Sequence, residues 1–178
     1  MEMTLAFIFG IVFGSFLNVV ILRIHKDESI VYKASHCKSC NTPLTPWHNI
    51  PLFSWIFLRG KCSFCKIKIS AQYPIIELLS GLIFLTLANK YGLSLPIFFV
   101  ALSFLMLLAL SMIDFKYKMI PDSLNLLAIL FAVIGAWNID GLLTNFQNAL
   151  LFAGALYLIF LIPAFQNLHK RVKYHLLF

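Results

Sequence analysis

Charge is what this chain has least of. Asp, Glu, Lys and Arg make up 12% of its 178 residues, where an ordinary soluble domain carries about 25%. With 61% hydrophobic residues, that scarcity argues against a soluble domain and for an integral membrane protein. Internal repeats and low-complexity tracts are absent, and with no paired half-helices or duplicated halves a small transporter is disfavoured. The first apolar run, Met3 to Ile24, lacks a basic leader, because Glu2 precedes it, and no A-x-A-like site follows it. It therefore reads as a retained span, not a cleaved signal. The net charge of +7 raises the question of nucleic acid, but the basic residues are distributed as membrane flanks and imply no such partner.

The apolar runs that remain read as about five spans: Met3 to Leu22, Tyr73 to Ala88, Pro96 to Ile113, Ser123 to Trp137 and Phe146 to Pro163. Pro96 to Ile113 holds eighteen residues without a charge, nearly enough to cross a ~30 Å hydrocarbon core at ~1.5 Å per residue. Thirteen of the fourteen Lys and Arg fall in alternate connections: the insert Arg23 to Gln72, the Asp114–Asp122 loop and the tail after Pro163. Only Lys90 lies on the other side. The positive-inside rule then puts Met1 outside, and puts the insert and the ends of the spans carrying Asn18, Glu77, Asp114 and Asp122 on the cytoplasmic side. Asp140 falls on the opposite side.

The insert carries Cys37-x-x-Cys40 and Cys62-x-x-Cys65, with 21 residues between the pairs. Four thiolates at this spacing suit a tetrahedral ion, zinc before iron, and the reducing cytoplasm disfavours disulfides. Four sulfurs leave no open coordination position, so the expected role is structural, supplying stability to a segment too small for its own core. His36 and His48 lie near the knuckles and read as surface residues or outer neighbours of the site.

Three carboxylates lie near span ends. Asp114 closes the third span, where a charge needs a polar cavity, a partner or the interface; Lys116 and Lys118 are its local alternatives. Asp122 stands where a helix N-cap belongs. Glu77 sits about one turn inside the second span and must be protonated, paired or facing water. Asn18, inside the first span, also needs a partner, and Gly10 and Gly14 beside it read as close-packing positions. Aspartic hydrolysis needs two carboxylates that share a proton, one activating water and the other acting as acid; Asp114 is the candidate for one.

In order along the chain stand Gly14-Ser15-Phe16-Leu17-Asn18-Val19-Val20 with Arg23, the paired CxxC insert, Asn49-Ile50-Pro51, Leu58-Arg59-Gly60-Lys61-Cys62, Tyr73-Pro74 leading to Glu77, and Ile113-Asp114 followed by Ile120-Pro121-Asp122. With these the chain resembles the type IV prepilin peptidases, the bifunctional leader peptidase/N-methyltransferases of pilus, competence and type II secretion systems. The resemblance implies an all-α integral membrane protein of the bacterial inner membrane, with a zinc-binding cytoplasmic insert between its first two spans. Residues 1–90 would form an N-terminal domain and 91–178 an aspartic peptidase core. It implies cleavage of the basic leader of prepilins or pseudopilins at the cytoplasmic face, with Asp114 catalytic and Asp122, Glu77 and Asn18 as possible supports. Methylation of the new N-terminus with S-adenosylmethionine would be the task of the N-terminal part. The family's second aspartate lies in a Gly-x-Gly-Asp motif that this sequence does not contain, so the peptidase core is expected to be incomplete. The competing expectation is a non-catalytic membrane scaffold that binds prepilin-like partners.

Overall fold

The structure is a computed structural model that describes residues 2–26, 28–30, 36–37 and 39–137, together with the isolated positions 147 and 151. The expected fifth span, Asp140 and the basic tail lie outside the described residues. Those described up to Trp137 form one compact unit and are all-helical apart from turns and two isolated β-bridges, His36 to Pro43 and Lys61 to Lys68. The helices are α1 (Glu2–Arg23), α2 (Phe53–Phe57), α3 (Gln72–Tyr91), α4 (Leu95–Tyr117) and α5 (Asp122–Trp137). Three of them, α1, α3 and α4, are long and apolar enough to cross a membrane; α5, at 16 residues, is shorter.

Helix α1 packs chiefly on α3, and α4 on α5. The first seam is set by glycine. A Cβ on Gly10 would lie 2.5 Å from the Ser80 carbonyl oxygen, and one on Gly14 would lie 2.9 Å from the Glu77 Cα. Backbone therefore meets backbone, the form of association that small residues permit between apolar helices. Phe13 of α1, Phe84 of α3 and Phe98 of α4 form a three-ring cluster with centroids 5.6 to 6.0 Å apart. Around it lies a core that includes Leu17, Ile21, Ile76, Leu105, Ile113 and Leu124. Outward residues such as Phe9, Val12, Phe104 and Leu107 are apolar and exposed, as lipid-facing surfaces require.

Two boundaries differ from the sequence expectation. Helix α4 does not stop at Ile113 but continues to Tyr117, because Tyr117 packs against the core and Lys118, left-handed at φ 55°, ends the helix by donating its N–H to the Asp114 carbonyl at 2.9 Å. The connection to α5 is thus only 118–121, and Asp122 is the first residue of α5. The insert also holds a short helix, α2, that its mixed composition had not suggested.

Candidate functional site

The two cysteine knuckles share one backbone design. In the first, the Cys37 N–H donates to Thr42 O at 3.0 Å and the Asn41 N–H to Cys37 O at 2.9 Å. In the second, the Cys62 N–H donates to Ile67 O at 2.8 Å and the Lys66 N–H to Cys62 O at 3.1 Å. Each turns on a left-handed residue just after its second cysteine, Asn41 at φ 58° and Lys66 at φ 59°. Asn adopts that conformation readily and Lys does not, so the second turn was the less legible. The four sulfurs lie within 4.8 Å of one another, and Cys37 Sγ to Cys65 Sγ is 3.8 Å. A tetrahedron of Zn–S bonds of about 2.3 Å places its sulfurs about 3.8 Å apart, whereas a disulfide needs about 2.05 Å. The donor set fits a four-thiolate metal and not a cross-link.

The thiols are polarised unequally. The Thr42 hydroxyl, 3.2 Å from Cys40 Sγ, and the Thr42 backbone hold Cys40 down to about 6. Cys65 accepts a hydrogen bond from the Ile67 backbone that favours its thiolate. Loss of water and the neighbouring thiols outweigh that bond and push it up to about 11. A bare cluster of four thiols resists collecting negative charge; a divalent cation at its centre removes that resistance.

Between the insert, α1 and the start of α3 lies a cavity of about 1100 Å³. Asn18, Arg23 and Glu77 are buried and line it. Arg23 donates to the carbonyls of Ser29 at 2.9 Å and Ile30 at 3.5 Å, tying the chain that leaves α1 to the helix end. Asn18 pairs not with Arg23 but across the seam: its Nδ2 donates to the Tyr73 carbonyl of α3 at 3.1 Å and to Gly14 O at 3.4 Å. Its Oδ1 is buried with no hydrogen-bond partner. Glu77 Oε2 accepts the Leu52 N–H at 2.7 Å, and the Ser15 hydroxyl faces the same carboxylate.

Asp114 lies in the last turn of α4 and is exposed; Asp122, at the start of α5, is exposed too. Neither lines the cavity. Lys116 does, and its Nζ donates to Gln72 Oε1 at 3.2 Å. Two participants escaped the sequence reading as individuals. One is Leu52, whose backbone at φ 62° is held by Glu77. The other is Trp55, whose indole N–H donates to Ile69 O at 3.4 Å and whose ring occupies the space a Cβ on Gly60 would take. A tryptophan between Pro51 and a glycine in an otherwise basic segment was the available signal.

Comparison with known sequences gives this geometry its context. Residues 8–91 match the Bacterial Peptidase A24 N-terminal domain, and residues 101–176 match the Type IV leader peptidase family. The chain belongs to the type IV leader peptidase family. Relatives named prepilin leader peptidase/N-methyltransferase include one from Myxococcus xanthus, 35% identical over 154 residues, covering 86% of this chain and 45% of that protein. Another, from Neisseria gonorrhoeae, is 36% identical over 177 residues, with 86% and 61% covered. A third, from Pseudomonas putida, is 32% identical over 160 residues, with 75% and 56% covered. The chain spans about half the length of the curated leader peptidases it matches. No solved structure matches it.

Proposed function

We propose that this leader peptidase homologue serves as a membrane aspartic endopeptidase that removes the basic leader of prepilins or pseudopilins at the cytoplasmic face of the bacterial inner membrane. The observation that carries the reading is the position of Asp114. It stands exposed in the last turn of an apolar helix long enough to span the bilayer, within the segment that matches the type IV leader peptidases. A carboxylate there can meet a peptide bond just outside the hydrocarbon while remaining hydrated. It supplies one half of an aspartic pair, either as the base for water or as the acid for the leaving group. Asp122 opens the next helix, close in sequence, and is assigned a supporting role through its charge at the α5 N-terminus. The count of basic residues supports an outer N-terminus and a five-span topology with the insert inside the cell. Residues 1–90 and 91–178 are proposed as the two functional halves.

Asp114 does not line the cavity, whose lining comes mostly from the N-terminal half, and this supports a second activity there. The relatives' name, prepilin leader peptidase/N-methyltransferase, supports N-methylation as that activity, with the new N-terminus as the proposed acceptor. The unpartnered Asn18 Oδ1 and the Glu77 carboxylate are acceptors suited to an amino group, so S-adenosylmethionine, which supplies the methyl group, would be held against Asn18, Glu77 and Trp55. The four-cysteine cluster is proposed to hold structural zinc.

The test is cleavage of a prepilin-like substrate by membranes carrying the natural protein. Asp114→Asn is expected to abolish cleavage while leaving the insert folded and metal-loaded. Unchanged cleavage removes Asp114 from the mechanism, and an absence of cleavage by the unaltered protein, with prepilin still bound, favours the scaffold reading.

A further inference from the structure

The two faces of α2 differ in kind. Ser54 and Trp55 line the cavity, and Trp55 packs toward Gly60 and Ile69. Phe53, Ile56 and Phe57, spaced i, i+3 and i+4, share the other face and are 55%, 62% and 81% exposed. Trp47, in the 3-10 turn before them, is 78% exposed. Isolated surface apolar residues are ordinary, but a run of this kind on a segment outside the spans marks something that covers it.

Two independent observations identify the cover. The first is height. Leu52, whose N–H reaches Glu77 Oε2 at 2.7 Å, immediately precedes α2, and Glu77 is the sixth residue of α3. The 20 residues of α3 extend ~30 Å, about the thickness of the hydrocarbon core, so Glu77 lies within the span and its side chain slants back toward the helix start. The first turn of α2 is therefore level with the first turns of α3, at the boundary between acyl chains and headgroups. The second observation is charge. No acidic residue occurs between Glu28 and Glu77, and Arg59, Lys61, Lys66 and Lys68, all exposed, follow α2 directly.

We propose that α2 is an interfacial helix. Phe53, Ile56 and Phe57 lie among the acyl chains, Trp47 sits at the headgroup level, and Arg59, Lys61, Lys66 and Lys68 meet anionic lipid headgroups. The insert is thereby held to the bilayer along its middle as well as at its two ends. The cavity then opens at the membrane surface: Val12 and Phe16, half-exposed on α1, line it, and Val12 lies ~16 Å along the span from Arg23. A substrate anchored in the bilayer could reach it without leaving the membrane. The inference rests on α1 and α3 spanning the membrane and is independent of the peptidase reading.

The experiment places the photoreactive residue p-benzoylphenylalanine at Phe57 or Phe53 of the full protein in nanodiscs of phosphatidylethanolamine and phosphatidylglycerol, with Phe9 of α1 as the lipid-facing reference and Asn41 as the exposed polar one. Mass spectrometry after irradiation is expected to find lipid adducts at positions 57 and 53 at levels within about threefold of Phe9 and at least tenfold above Asn41. Adducts at the Asn41 level, or adducts to a second copy of the chain or to another protein in place of lipid, overturn the proposal. A measurement on otherwise unaltered protein guards against disturbed folding. Lipids brominated on the upper acyl chain are expected to quench tryptophan emission, and Trp47→Phe to lower the quenched fraction measurably below that of the unaltered protein. Equal quenching with and without Trp47 counts against the interfacial placement.

Discussion

The Leu52 N–H and the Glu77 carboxylate, 25 residues apart in sequence, meet at 2.7 Å and join the insert to the bundle. Leu52 has φ 62° and ψ −52°, a conformation that L side chains rarely adopt and that its surroundings must enforce. A buried carboxylate within a span is thus explained in part by what it holds.

Glu77→Ala removes that acceptor, leaves a partly buried N–H unpaired and releases the strained turn. The loss is about 1–3 kcal/mol, read as a fall of several degrees in the thermal unfolding midpoint in detergent. Glu77→Gln keeps an acceptor for Leu52 and is expected to fall by less than half as much. If the two variants lose equal stability, the charge and not the hydrogen bond holds the insert.

The α1–α3 seam makes a sharper demand. A Cβ at Gly10 would meet Ser80 O at 2.5 Å and Gly81 Cα at 2.7 Å, both backbone atoms that cannot rotate away. Gly10→Ala must part the helices, at about 1–3 kcal/mol. Gly92 has open space around its Cβ position but φ +78° and ψ 166°, a region kept almost wholly by glycine. Gly92→Ala is therefore strained by conformation alone, by about 1–3 kcal/mol, part of which its exposed turn can relieve by rotating. Paired unfolding measurements are expected to rank Gly10→Ala as the more damaging.

How much of this was legible beforehand follows from the range of each signal. Apolar runs and cysteine knuckles are local patterns, so helices α1, α3, α4 and α5 and the sulfur cluster stand close to where hydropathy and spacing put them, the end of α4 excepted. The end of α4 was misread because Asp114 and Lys116 interrupt the apolar run, while the residue that prolongs the helix, Tyr117, earns its place by packing against a core that hydropathy does not describe. Helix α2 was missed because five residues with an outward apolar face carry little periodic signal. The partners of Asn18 and Glu77, Tyr73 and Leu52, are backbone groups from distant segments, and backbone groups leave no mark in a sequence.

Metal loading is expected to follow acid chemistry. Purified protein should hold one zinc per chain, and changing Cys37 and Cys62 to Ser should remove it. Only thiolates bind the metal, so protons compete with it. Cys40 is lowered to about 6 from 9.0, chiefly by Thr42. The fold's preference for its thiolate is therefore complete above pH 9 and is lost as pH falls through about 6. Bound zinc holds its thiolates against protons to lower pH still, so zinc retention should drop below about pH 6. Thr42→Val removes the hydroxyl and is expected to move half-release to higher pH; an unchanged midpoint would show that Thr42 does not tune the site.

Asn18 offers the means of separating a packing role from a chemical one. Its Nδ2 bridges to Tyr73 O, but its Oδ1 stands buried and unpaired beside the cavity, which is unfavourable in an apolar span. Asn18→Leu, of similar length, removes one interhelical hydrogen bond, for which about 0.6–2 kcal/mol is typical between membrane helices, and also removes the unpaired acceptor. The two effects oppose each other, so the unfolding midpoint should move little. If Asn18 exists only to pack, leader cleavage and N-terminal methylation should both survive. If Oδ1 is kept for a ligand in the cavity, methylation should fall at least tenfold while cleavage, proposed to depend on Asp114, which does not line the cavity, should hardly change. An equal loss of both would instead mean that the substitution disturbs the bundle as a whole.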